Sequence, residues 1–379
     1  MTTKYKNLQH FFHYRKFLDR VNAAILEGLA ECGPRNLSVL AKSLSLPVTT
    51  VRFRLNKMIK NGLLLVNANL NMPKLGLIRG FLAAEAFLGR QDALFKVILN
   101  SDYWTYIIRC FGKVDGYCAY FAFPFEYETE LQKYFEEAAR MKIFSNHKFF
   151  WITNSMVFPP NFSWYDFDKR EWRFQWEKWV AEVLQASSML PQILKDPEDY
   201  SVMVDKIDLL ILKELEKNGN ISLKELTKVV KITPQSIGYR FKNRITKKNL
   251  IVNYNIDAYP YPMQVSDLCN FKIGFADEEK LAKFVNASNR KPFMVSCAKI
   301  IGENSSIANI YIPKMEFPNL IKSLNRLYSE GVIKNFTYVT LDPKAYKRQT
   351  ISYEYFESGK WTYDAEEKIK KLKERGQEA

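Results

Sequence analysis

The chain is poor in histidine, glycine and proline, and it has no long apolar run. Three histidines in 379 residues, His10, His13 and His147, are too few and too scattered for a metal centre. His10 and His13 are helix-spaced but lack a further ligand, so they read as surface residues. Five cysteines, Cys32, Cys110, Cys118, Cys269 and Cys297, form no Cys-x-x-Cys pair, which predicts reduced, buried thiols rather than bridges or metal ligands. With 15 Gly and 15 Pro beside 47% hydrophobic residues, the composition is that of a folded chain. The opening "MTTKYKNLQHFFHYRKFLDR" has no apolar run of signal-peptide length, and no later stretch approaches the length of a membrane span. The expectation is a cytoplasmic protein with no membrane partner and no cofactor.

Positive charge and aromatic rings are abundant. A formal charge of +15 and a pI near 9.3 suit a polyanion, either nucleic acid or an acidic membrane surface, and charge alone does not choose. Phe and Tyr are frequent enough to predict an aromatic core.

One pattern occurs twice. "SLSLPVTTVRFRLNKMIKNGLLLVNANL" from Ser43 and "KVVKITPQSIGYRFKNRITKKNLIVNYNI" from Lys228 align without a gap at a constant offset of 186. Leu46/Ile232, Val51/Ile237, Arg54/Arg240, Ile59/Ile245, Val66/Val252 and Asn67/Asn253 all match. Each copy is preceded by an apolar helix, "FLDRVNAAILEGLAEC" or "DKIDLLILKELEKNG", with Gly33 and Gly219 placed as left-handed C-caps. A short second helix and a tight turn lead to a third helix. Its buried side is expected at Val51, Leu55 and Ile59 in one copy and at Ile237, Phe241 and Ile245 in the other. The opposite side carries Thr49, Thr50, Arg52, Asn56, Lys57 and Lys60, then Gln235, Ser236, Tyr239, Lys242, Asn243 and Lys247. Those residues offer cations for phosphates and hydrogen-bonding groups for base edges. A strand with its turn closes each copy, giving a winged helix-turn-helix whose third helix would enter the major groove. The competing reading is a small helical scaffold whose basic helix is merely solvated.

The rest of each half follows a βαββαβ order, the ferredoxin-like arrangement, whose uncovered sheet face is expected to pack on another sheet. The fold class is therefore α+β: two tandem copies of winged helix-turn-helix plus ferredoxin-like domain. The expected organisation is an extension over 1–16, winged helix-turn-helix units over 17–73 and 204–260, and ferredoxin-like domains over 76–157 and 263–343. An aromatic-rich arm and linker occupies 158–203, and a C-terminal arm with a charged, solvated helix occupies 344–379. Trp164, Trp172, Trp176 and Trp179 in one arm and Trp361 in the other predict packing over a sheet or into a subunit interface; base stacking is the alternative.

"LDRVNAAIL" or "DKIDLLIL", then Leu46-Pro47, Arg54, Leu55 and Gly62-Leu63-Leu64, or Ile232-Thr233-Pro234, Arg240 and Phe241, followed by βαββαβ, resemble the Lrp/AsnC transcriptional regulators. In the second copy Lys248-Asn249 replaces the glycine, and Asn tolerates the left-handed conformation. The resemblance implies a fused dimer that binds double-stranded DNA. It also places an amino-acid effector site at a Gly-x-x-Asp-Tyr turn, represented by Gly112, Asp115 and Tyr117 and, in the second half, by Gly302 alone. The same turn is explained without a ligand by strand-to-strand geometry. A further homodimer through the sheets or aromatic arms is expected. No enzymatic activity is expected. The rivals are an enzyme resembling the siroheme decarboxylases of haem biosynthesis, which share this two-domain unit, and a weakly specific chromatin protein.

Overall fold

The computed structural model describes residues 17–376. The extension over 1–16, with His10 and His13, lies outside the described residues. Helices α1 (Arg20–Cys32), α2 (Leu37–Ser43) and α3 (Val48–Lys60) form the first trio and end in strand β1 (Leu65–Leu70). Asp19 caps α1 by accepting from the Asn22 N–H at 2.7 Å, which satisfies one of the orphan donors of the first turn. On α3, Val51 and Leu55 are buried as expected, but Met58 takes the inward place assigned to Ile59, which stands 36% exposed. The inward stripe thus advances by three residues after Leu55 rather than four.

The second trio is α7 (Lys206–Lys217), α8 (Leu223–Val230) and α9 (Pro234–Arg240), followed by β9 (Ile251–Asp257). Its helices are more fully capped. Asp205 with Asp208 and Ser222 with Glu225 form capping boxes, and Thr233 caps α9 ahead of Pro234. Helix α9 does not run on as a regular helix; Phe241–Thr246 form one π turn. Gly33 ends α1 at φ 71°, and Asn249 takes the left-handed φ of 51° where Gly62 stands at 67°. Gly219 is not a left-handed cap. It leaves room for the Tyr254 ring, which would stand 2.9 Å from a Cβ there.

The closing strands also depart from expectation. Neither copy builds its own wing hairpin; β1 and β9 pair antiparallel with each other into one two-stranded ribbon. Helix α1 packs on β9 and α7 on β1, so each trio leans on the other's strand.

Strands β2 (Leu77–Ala86), β3 (Trp104–Gly112), β4 (Gly116–Pro124) and β5 (Phe144–Ile152) make one sheet in the order β5-β2-β4-β3. Helices α4 (Gln91–Asn100) and α5 (Glu128–Arg140) cover it. Strands β10 (Ser266–Phe275), β11 (Met294–Lys299), β12 (Ser305–Pro313) and β13 (Ile333–Arg348) repeat this order as β13-β10-β12-β11, with α10 (Glu278–Ser288) and α11 (Phe317–Ser329) outside. The sheets join edge to edge, β3 with β13. At the far end β6 (Met156–Val157), just beyond β5, pairs with β11, and Ile152 bridges Ile300. The segment carrying β5 and β6 thus touches both ends, and the sheet closes into a barrel. Phe81, Ile108, Cys118, Ile300, Ile307 and Leu341 fill its interior.

The aromatic arms are exchanged. The first holds a small hairpin of β7 (Tyr165–Asp166) and β8 (Glu171–Trp172), then α6 (Trp176–Gln185), which packs on α10 and α11 of the second half. Trp164, Trp176 and Trp179 meet Phe293 there. The second arm pairs β14 (Phe356–Glu357) with β15 (Lys360–Trp361) and continues as α12 (Ala365–Gly376). It lies on the first half: Trp361 Nε1 donates to Leu75 O at 2.6 Å and Tyr103 donates to Thr362 O at 2.6 Å. Two expectations are corrected. Helix α12 is not merely solvated, because Leu372 is buried and Lys368 pairs with Asp102. The sheets and arms expected to hold a homodimer are already occupied within one chain.

Candidate functional site

The arginine shared by the two copies points inward. Arg54 Nη1 lies 2.6 Å from Asp19 and 3.0 Å from Asn22 Oδ1. Arg240 Nη1 lies 2.8 Å from Asp205 and 2.7 Å from Asp208, and Arg244 Nε donates to Asp208 at 2.6 Å. Each guanidinium ties the third helix to the cap of the first, which explains the repeated Arg as architecture. Hydrogen bonds and the charges of Arg240 and Arg244 hold the Asp205 carboxyl below its usual range, although burial pushes the other way.

The opposite face is open. Thr49, Arg52, Asn56, Lys57 and Lys60 are exposed and Thr50 is half-buried; Gln235, Ser236, Tyr239, Lys242 and Lys247 are exposed and Asn243 is half-buried. Among the described residues none of these cations has an ion-pair partner, although Lys57 Nζ lies 5.3 Å from the Phe17 ring. Phe53, 67% exposed between Arg52 and Arg54, stands on the same surface and carried no signal in the sequence beyond its apolar character.

The expected effector residues do not form one pocket. Asp115 pairs with Arg109, whose guanidinium stands over Tyr117 at 5.6 Å. Gly112 has φ 107°, and a Cβ on Gly116 would come 1.9 Å from Ala84 O. Turn geometry accounts for this stretch. Gly302 belongs to another turn, where its N–H donates to Asp196 at 3.1 Å.

A different constellation lies where the ribbon crosses the polar end of the barrel. Arg79 shares a strand face with Phe81, and Tyr106, Tyr120 and Arg348 join it from β3, β4 and β13. Opposite stand Asn67, Asn69, Asn253, Asn255 and Asp257, alternate residues along the paired strands. Asn69 Nδ2 donates to Asn253 Oδ1 at 3.1 Å, and Asn67 Nδ2 donates to Asp257 at 3.3 Å. Glu216 of α7 completes the edge, accepting from the Ile351 N–H at 2.9 Å.

Arg79, Glu216 and Asp257 lie deep in the protein, yet each keeps part of its surface accessible. These three are partly accessible, and Arg348 beside them is exposed. Burial pushes the Glu216 carboxyl up to about 7, against the smaller pull of the Ile351 hydrogen bond and of Arg348 and Arg79. Burial raises Asp257 and lowers Arg79 as well. Arg79 Nε, Asn67 Oδ1 and Asn255 Oδ1 are buried without a partner.

A family model for winged helix-turn-helix DNA-binding matches residues 204–243. No curated protein matches the sequence. The structure of the siroheme decarboxylase NirDL superposes with a TM-score of 0.50 at 10% identity, covering 93% of this chain and 98% of that one. AsnC of E. coli is similar over 35% of this chain and 91% of its own, with a TM-score of 0.28 at 15% identity. An AsnC-family regulator from Agrobacterium tumefaciens covers 35% and 89%, with a TM-score of 0.28 at 20% identity. The expectation of no enzymatic activity is overturned: over nearly its whole length this fold is also that of an enzyme. Among the described residues no helix is long and apolar enough to cross a membrane.

Proposed function

We propose that the chain is a double-stranded-DNA-binding regulator in which two winged helix-turn-helix units, each joined to a ferredoxin-like unit, form a fused pseudo-dimer. One observation made twice supports it: each third helix has its inward arginine occupied by an acidic cap and its outward cations without an ion-pair partner among the described residues. Unpaired cations suit phosphates, and Asn56 and Gln235 suit adenine edges. The family match over 204–243 is of the same kind. The pairing of β1 with β9 in one ribbon ties the two units together, which supports a reading of adjacent major grooves by the two third helices. Replacing Arg52 and Lys57 together by Ala tests the reading. Each lost phosphate contact lowers the log–log salt slope by about 0.9, so fluorescence anisotropy against a salt series should show a drop of about 1.8. An unchanged slope would mean that α3 does not face DNA.

The second reading is an enzyme resembling siroheme decarboxylase. The polar cluster under the ribbon favours it, since Arg79 and Arg348 stand near Glu216, whose carboxyl burial pushes up to about 7. Adding siroheme should shift its Soret band at one equivalent per chain; a spectrum identical to free siroheme would end this reading.

A further inference from the structure

We infer that Phe53 and Tyr239, the aromatic residues at equivalent points of the two third helices, each read the methyl group of a thymine in the major groove. The inference rests on the DNA-binding reading above and names what the two helices look for.

Both rings stand in the open. Phe53 is 67% exposed and Tyr239 is 64% exposed, and the repeat offset of 186 matches them. At 3.6 residues per turn, a side chain two places beyond the buried Val51 or Ile237 points almost directly away from the core. Its neighbours on the helix surface lie three and four places off. Around Phe53 these are Thr49, Thr50, Asn56 and Lys57, and ahead of Tyr239 they are Gln235 and Ser236. None of them is apolar, so each ring sits alone at the centre of a polar face.

A single exposed apolar residue is ordinary. Its recurrence is not, because the positions around it have changed. Thr49 corresponds to Gln235, Arg52 to Gly238, Asn56 to Lys242, Lys57 to Asn243 and Lys60 to Thr246. The hydrogen-bonding and charged groups were exchanged between the copies while the ring was kept. Phosphates offer an aromatic ring nothing. The base edges in the major groove are hydrogen-bonding groups with one exception, the C5-methyl of thymine. Arg52, Lys57 and Lys60 in one copy, and Lys242 and Lys247 in the other, are exposed and suit the flanking phosphates, which brings the central ring onto the base edges. Each half-site should therefore carry a thymine under its ring, whatever bases surround it.

Duplexes selected from a randomised pool by the full chain supply the probe. Each thymine is then replaced by deoxyuridine, which keeps the base pair and removes the methyl. Fluorescence anisotropy should show one position in each half-site where this replacement weakens binding about fourfold, the scale of burying one methyl group. Phe53→Ala should abolish the effect in one half-site and Tyr239→Ala in the other. Both side chains are exposed, and a thermal melt checks that each variant is folded. The proposal falls if the selected half-sites hold no thymine, if deoxyuridine at every thymine leaves affinity unchanged, or if neither variant alters the sensitivity. Tight binding that ignores the methyls overturns this inference alone. A chain that binds no duplex at all ends the DNA-binding reading with it and leaves the rings to a protein partner.

Discussion

The two helical trios have the same plan and are secured differently. In the first, a single arginine, Arg54, reaches a partly exposed Asp19, and α2 and α3 begin without a side-chain cap. In the second, Arg240 and Arg244 clamp Asp205 and a fully buried Asp208, and all three helices are capped. The regular helix is the weakly secured one, whereas the heavily clamped copy contains the π turn. A π turn is a locally unfavourable insertion, commonly found at functional positions. The extra charges and caps offset it, leaving Tyr239 and Lys242 on a surface with a different pitch from that of α3.

Removing the clamp should separate the copies most. Arg240→Ala with Arg244→Ala strands the buried Asp208 carboxylate, and chemical denaturation should show a loss of about 3–5 kcal/mol. Arg54→Ala removes a partly exposed pair and should cost about 1 kcal/mol or less. Equal losses would mean that the two trios are held alike.

Glu216 provides a test through pH. Its folded pKa, about 7, lies above the ordinary value of 4.5, so its protonated form stabilises the fold. That contribution is complete below pH 4.5 and is lost as pH rises through about 7. Glu216→Gln should therefore flatten the fall in stability across this window, by up to about 3 kcal/mol. Parallel melting curves for both proteins from pH 5 to 8 would refute the assignment.

The smallest effect concerns Gly238, which has open space where a Cβ would stand. Gly238→Ala should stabilise α9 by roughly 0.5–1 kcal/mol. If DNA affinity falls at the same time, the glycine serves close approach of a backbone; unchanged affinity would place it outside the interface.

Much of this was legible in the repeat. The offset of 186 located both trios, and Gly62 and Asn249 could be read as left-handed positions before their angles were known. The βαββαβ order of segments such as "GYCAYFAFP" gave the sheets. The polar cluster between ribbon and barrel was hidden for a physical reason. Asn67 and Asn69 alternate with Val66, Ala68 and Leu70, the pattern of a strand with one wet face, and only the pairing of β1 with β9 over the barrel turns that face inward. Arg79 likewise reads as a surface cation until the sheet closes. Met58 replaced Ile59 because spacings of three and four are equally helical.

The exchange of arms bears on how the protein is made. Leu75 meets Trp361 across 286 residues, so the helices of the first sheet lack their cover until nearly the whole chain has left the ribosome. Domains that fold as they emerge escape such waiting; here the early part must remain soluble while incomplete. Its long-range contacts favour slow folding, and the tryptophan-lined side of each half is the surface a chaperone would have to shield meanwhile.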